Sequence, residues 1–191
     1  MEETIQFFSE YKKISVIAHV LSVIVGMGTA LVSDVLFSVY VKDKKINKTE
    51  NITLQVLSRV IWISLGLITL SGLAIFLSDP LTYAYSTKFL VKTAIVFVII
   101  LNGYLFWKIT HKSLKKINFT DTNSNHKHVR IRRLSFAFGA VSVVSWLAAF
   151  ILGSIDTLPV TFSMAMGIYT TIIILAIIVS QIADRLITPK K

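Results

Sequence analysis

The chain has 191 residues, of which 54% are hydrophobic and 16% charged, with a formal net charge of +10 and no cysteine. A soluble domain of this length could not hide so much apolar surface in one core, whereas a bilayer accepts lipid-facing positions as apolar as the interior. The missing cysteines exclude disulfides, thiolate metal sites, a cysteine nucleophile and covalent c-type haem attachment.

Residues 1–13 place Glu2, Glu3 and Glu10 beside Ile5, Phe7, Phe8 and Tyr11, a mixture expected to lie along the outer membrane surface. Five apolar runs follow, over 14–40, 56–78, 89–110, 134–155 and 160–183. A hydrocarbon core about 30 Å thick takes about 20 helical residues, and each run is long enough. Backbone groups in lipid must be satisfied within the segment, so the runs predict α-helices. A transmembrane barrel would instead show alternating segments of about ten residues. The fold class predicted is all-α: a polytopic transmembrane bundle of five spans forming one domain over 14–187. The first run does not read as a signal peptide, because acidic residues precede it and the positive cluster follows it.

Charge sets the orientation. Lys42, Lys44, Lys45 and Lys48 follow the first run. Lys108, Lys112, Lys115, Lys116, Lys127, Arg130, Arg132 and Arg133 lie between the third and fourth, and Arg185, Lys190 and Lys191 end the chain. Those fifteen of the 20 Lys and Arg fall on one side of a five-helix arrangement, against Lys12, Lys13 and Lys88 on the other. The positive-inside rule then puts the N-terminus outside and the C-terminus in the cytoplasm, in the plasma (cytoplasmic) membrane of a prokaryote. The net charge therefore points to the lipid bilayer as partner and not to nucleic acid. The basic 111–130 segment reads as a long cytoplasmic loop. Asp79-Pro80 and Leu158-Pro159 mark short outer turns.

Small residues at three- and four-residue spacing predict the protein-facing side of each helix. The first carries Ser15, His19, Ser22, Gly26, Ala30 and Ser33; the second Ser58, Trp62, Gly66, Thr69 and Gly72. The fourth carries Ser135, Gly139, Ser142, Trp146, Ala149 and Gly153, and the fifth a weaker set of Ser163, Gly167, Thr170 and Gln181. Asn102-Gly103 interrupts the third in mid-span and invites an interhelical hydrogen bond and a close crossing.

Apart from Lys108 at the end of the third run, four ionisable side chains lie inside the runs: His19, Asp34, Arg59 and Lys92. Each costs roughly 2.5–3.5 kcal/mol near a helix centre and so calls for a partner. Asp34 and Arg59 share the inner-leaflet layer and are expected to form an ion pair, read either as structural or as a gate or proton relay. His19 lies roughly 8 Å below the outer boundary by helical rise, at the same level as Lys92. Two readings of His19 stand open: a hydrogen-bonded packing residue, or a haem or metal ligand or acid/base group. Lys92 either snorkels to the surface or joins His19 in one pocket. Met164 and Met166 open the fifth run on the outer side; thioethers suit copper, and they equally suit packing. His126-Lys127-His128 in the basic loop is a weak metal signal. No Ser-His-Asp set, HExxH, P-loop or GxGxxG motif is present.

The stretches AHVLSVIVGMGTALVSDVLF, VLSRVIWISLGLITLSGLAIFL, KFLVKTAIVFVIILNGYLF and SVVSWLAAF resemble a group of uncharacterised bacterial five-helix integral membrane proteins. A first-helix His19 followed by glycines, with Lys92 in the third helix, is distantly similar to two further kinds of protein. These are the HemJ-type protoporphyrinogen oxidase and the copper-resistance protein D family. The first resemblance implies haem b, the second copper. No second histidine lies within a span.

Three functions are compatible with these features. One is a haem-b-binding redox protein, with His19 as axial ligand, Lys92 as propionate contact or second ligand, and Trp62 and Trp146 flanking the pocket. The second is a copper or small-solute permease using His19, Met164 and Met166 outside and Asp34 and Arg59 as an inner gate, which implies a homo-oligomer. The third is an accessory or structural subunit bound to a membrane partner.

Overall fold

The computed structural model describes residues 2–42, 47–114 and 125–187; the side chains of His126, Lys127 and His128, and most of the basic 111–130 segment, lie outside the described residues. Among the described residues the protein is all-helical: α1 (Glu2–Glu10), α2 (Lys12–Lys42), α3 (Lys48–Ser78), α4 (Pro80–Ala84), α5 (Thr87–Leu114), α6 (Asn125–Ser154) and α7 (Phe162–Ile187). Five of these, α2, α3, α5, α6 and α7, are long and apolar enough to cross a membrane. The helices outrun the apolar runs that predicted them, most clearly in α6, which starts nine residues before residue 134. Arginine and lysine are good helix formers, so the backbone ladder continues where the apolar pattern stops.

Local chemistry explains the ends. Asn47 and Glu50 form a reciprocal capping box that starts α3, with Oδ1 of Asn47 accepting from Glu50 N at 2.9 Å and Glu50 Oε2 accepting from Asn47 N at 2.8 Å. Asp79 stops α3, and its side chain accepts from Thr82 N to start α4, where Pro80 occupies the first turn. At the same end of the bundle Lys88 donates to the carbonyls of Ile155 and Asp156, just past the last turn of α6, a position that favours a cation. Lys12 lies over the Tyr83 ring, 5.4 Å from its centroid.

The helices assemble as two units. α2 and α3 form a long antiparallel hairpin, with α1 folded onto α3; α6 packs between α5 and α7. The units meet chiefly where α2 crosses α6. The core at the crossing contains Ala30, Leu65, Ile68, Val91, Ile95, Ile99, Trp146 and Tyr169. Most large apolar side chains outside it are exposed, Ile63, Leu70, Phe97, Leu175 and Val179 among them, the arrangement of a surface made for lipid.

The predicted seams hold on α2, where Ser22, Gly26 and Ala30 are buried, and partly on α6, where Ser135 and Trp146 are. On α3 the buried line runs through Ser64, Leu65 and Ile68, while Gly66 and Thr69 are exposed. On α7 the predicted seam holds only at Gln181, which bonds α6: Ser163, Gly167 and Thr170 face out, and Met166, Tyr169 and Ile173 pack inward. Hydroxyls turned to lipid lose nothing when they bond the preceding turn, and Thr170 and Thr171 do so with Met166 O and Gly167 O at 2.8 and 2.9 Å.

Polar ties cross the interior. Asn102 Nδ2 donates to Phe138 O at 3.1 Å, joining α5 to α6. Tyr169 and Ser145 share a buried hydrogen bond of 2.7 Å, and Gln181 Nε2 donates to Arg133 O at 3.1 Å. Arg132 Nε meets Asp184 Oδ1 at 2.6 Å, with Arg133 3.8 Å from Oδ2; the Asp184 side chain is 1% exposed. Removing one partner of such a buried pair strands the other charge, at a typical cost of about 3–5 kcal/mol. Asp184→Asn is therefore expected to lower the thermal midpoint of the detergent-solubilised protein. An unchanged midpoint would show that the pair contributes nothing. A Cβ on Gly26 would stand 2.7 Å from the Trp146 ring and 3.0 Å from the Ser64 Cβ. Gly26→Ala is expected to destabilise by about 1–3 kcal/mol, measured by the same melt.

Candidate functional site

Between the two units lies a cavity of about 170 Å³. It occupies the half of the bundle nearer the lysine- and arginine-rich segments. Four helices wall it: α2 gives Ala30, Ser33, Asp34 and Phe37; α3 gives Gln55, Ser58, Trp62 and Leu65; α5 gives Asn102, Gly103, Phe106 and Trp107; α6 gives Ser135, Gly139, Ser142 and Trp146. The four sets share the helical spacing of three and four, which is why residues so far apart in sequence converge. All three tryptophans of the chain line this one space.

Asp34 is its chemical centre. Its Oδ2 is buried and accepts no hydrogen bond. Its Oδ1 lies 3.3 Å from where a Cβ on residue 139 would stand, so glycine at that position makes room for the carboxyl. An ionised carboxylate placed here has no counter-charge among the described residues, and burying one unpaired is costly.

The expected ion pair with Arg59 is not formed. Among the described residues the salt bridges run from Arg132 and Arg133 to Asp184. The reason is rotational: Ser58 and Trp62 line the cavity, while Arg59 lies about 100° further round α3 and is exposed.

His19 lies at the other level of the bundle. Its Nδ1 is 3.2 Å from Ile68 O and 3.0 Å from Ser71 Oγ. The single Ser71 proton is directed to Leu67 O at 2.5 Å, which assigns the donor hydrogen to Nδ1 and leaves Nε2 as acceptor. Gly72 gives space beside the ring, where a Cβ would stand 3.5 Å from Cε1. His19 thus ties α2 to α3. Lys92 is half-buried on α5.

The residues foreseen for haem divide into two groups. Trp62 and Trp146 line the cavity with Asp34; His19 and Lys92 are not part of that lining. Trp146 stands between the two levels, 2% exposed, its ring against Gly26 and Ser64. A haem held by His19, with Lys92 as second ligand and both tryptophans flanking, needs all four around one space; His19 and Lys92 lie outside the lining of this cavity. In the copper set, Met164 is exposed, Met166 packs against the core, and α7 packs chiefly on α6 and α5. Among the described residues no group of three His, Asp or Glu side chains is placed to hold a metal.

What the sequence reading passed over is the cavity itself. Asp34 and Trp62 were both singled out, but for different roles, and Trp107, Phe37 and Gln55 carried no signal beyond helical spacing. The fold and cavity define a multi-pass membrane protein with five candidate spans and an acidic, aromatic-walled chamber between two helical units. Comparison with family models, curated proteins and solved structures gives no match.

If His19 only ties α2 to α3, protein purified after growth with ample haem should show no Soret band that depends on this side chain. His19→Ala should lower the melting point and leave the absorption spectrum unchanged. A stoichiometric Soret band lost in His19→Ala would restore the haem reading.

Proposed function

We propose that this protein is a small-solute permease of a prokaryotic cytoplasmic membrane, and that its solute site is the Asp34 cavity. The observation that carries the reading is the Asp34 carboxyl: inside a span, its Oδ2 buried and unpaired among the described residues, and facing a space large enough for a small molecule. Ionisable groups at such depth are expensive and commonly mark solute or ion paths. Polar groups spaced along the wall, among them Asn51, Gln55, Ser58 and Ser142, give a solute hydrogen-bonding partners between the basic end and Asp34. With the N-terminus outside, as the charge bias implies, the cavity belongs to the cytoplasmic leaflet.

Trp146 then serves as the barrier. It closes the cavity toward the His19 level by filling the space Gly26 leaves open. Passage requires this contact to loosen, by a shift of the α2–α3 hairpin against the α5–α6–α7 unit. The four walls of the cavity come from one chain, so the binding step needs no second copy; a homo-oligomer is compatible with the reading and not required by it.

The natural absence of cysteine permits a test that needs no knowledge of the solute. Ser58→Cys and Ser142→Cys, each the sole thiol, should react with a small membrane-impermeant methanethiosulfonate applied from the basic side of reconstituted vesicles. The lipid-facing control Ile178→Cys should not react. Adding Trp146→Ala should extend labelling to Ser22→Cys. Cavity thiols as unreactive as the control from both sides would remove the permease reading.

A further inference from the structure

The cavity's wall chemistry also limits what it can hold, given that it is a solute site. Its one formal charge is the unpartnered Asp34 carboxyl, and its described lining contains no lysine, arginine or histidine. The same wall carries the indoles of Trp62, Trp107 and Trp146 and the rings of Phe37, Phe106 and Phe138. Aromatic faces carry negative potential and attract cations, most strongly those with weakly hydrated, alkylated heads. An anion would meet the carboxylate with no compensating donor charge. The hydroxyls and amides of the wall, Ser33, Gln55, Ser58 and Ser142 among them, offer oxygens to an inorganic cation as well; the six rings favour a weakly hydrated head.

The shape adds a second limit. α3 and α5 face each other across the cavity and meet beyond it through the Phe76–Phe89 stack. The gap between them is spanned by Trp62, which lies over Gly103 and would be 3.6 Å from a Cβ there. Trp62 and Trp107 both line the cavity and are 38% and 51% exposed, so its aromatic wall reaches an accessible surface beside α3 and α5. About 170 Å³ holds a compact head group, and that surface gives an attached chain a way out into the hydrocarbon.

We propose that the ligand is an amphipathic organic cation: an alkylated ammonium head held between Asp34 and the cavity tryptophans, with an apolar tail leaving between α3 and α5. This rests on the cavity being a solute site and names the solute's chemical class.

The tryptophans supply the measurement, because all three lie in the cavity wall. The full-length protein in lipid nanodiscs is titrated with octyltrimethylammonium while its emission is followed; octyl sulfate and choline are the comparators. The expected result is a saturable change with octyltrimethylammonium and none with octyl sulfate. Choline, lacking the tail, should bind more weakly. Asp34→Asn should weaken binding by about tenfold or more, as loss of a charge-assisted contact implies. Trp62→Ala should weaken it by about fivefold or more, and this wall variant carries the test if Asp34→Asn does not fold. An equal response to octyl sulfate, wild-type affinity in the folded Asp34→Asn protein or in Trp62→Ala, or no saturable response would overturn the proposal. Choline binding as tightly as the octyl compound would overturn the lateral route for the tail. Reactive cavity thiols without cation binding would reject the cation and leave the permease; unreactive thiols would reject both.

Discussion

The crossing of α2 and α6 at Gly26 governs the arrangement around it. Gly26 has no side chain, and a Cβ there would meet both the Trp146 ring of α6 and the Ser64 Cβ of α3. One contact thus brings three helices together. Helices in lipid gain little from excluding water and depend on close van der Waals fit, so a contact of this size sets how far apart the two units stand elsewhere. Away from the crossing they diverge, and the space between them is the Asp34 cavity on one side. On the other side the units are held by the Phe76–Phe89 stack, with centroids 5.3 Å apart, and His19 keeps α2 against α3.

Charge is distributed with equal economy. Asp184, at the end of α7, is surrounded by Arg132 and Arg133 and fully neutralised within the protein. Asp34, at mid-bundle, has no such partner. The two carboxylates have opposite environments although both sit in apolar helices, and only the second has a charge to offer a ligand. The distinction follows from which residues stand one helical face away. Two arginines project beside Asp184, whereas Asp34 faces Gly139 and aromatic rings.

The five spans were legible because a run of twenty apolar residues is a statement about thickness and needs no partner to read. The α2 seam was legible too, since Ser22, Gly26 and Ala30 combine small size with regular spacing. Relations between helices were not legible. Depth placed Asp34 and Arg59 in one layer, and His19 and Lys92 in another, but depth says nothing of rotation. A turn of about 100° per residue removes Arg59 from the cavity that Ser58 lines. Most of the α7 seam failed for a related reason: Ser163, Gly167 and Thr170 have the size of packing residues, yet hydroxyls satisfied by their own helix are free to face lipid. Asp184 was passed over because it stands one residue beyond the apolar run, and its buried setting arises only when α6 supplies the arginines.

The outward turn of those small residues has a mechanical result. A helix that packs through Met166, Tyr169 and Ile173 presents smooth, deformable side chains, over which neighbouring helices slide with little resistance. Along α7 the sliding is blocked by three directional bonds: Tyr169 to Ser145, Gln181 to Arg133 O, and Asp184 to Arg132. A slip of one turn, about 5.4 Å, would break all three and leave a bare carboxylate against apolar neighbours. Register between the last two helices is therefore fixed by polarity, while the steric notch at Gly26 fixes it between the two halves. A chain with so little charge inside its spans spends part of it as an alignment key.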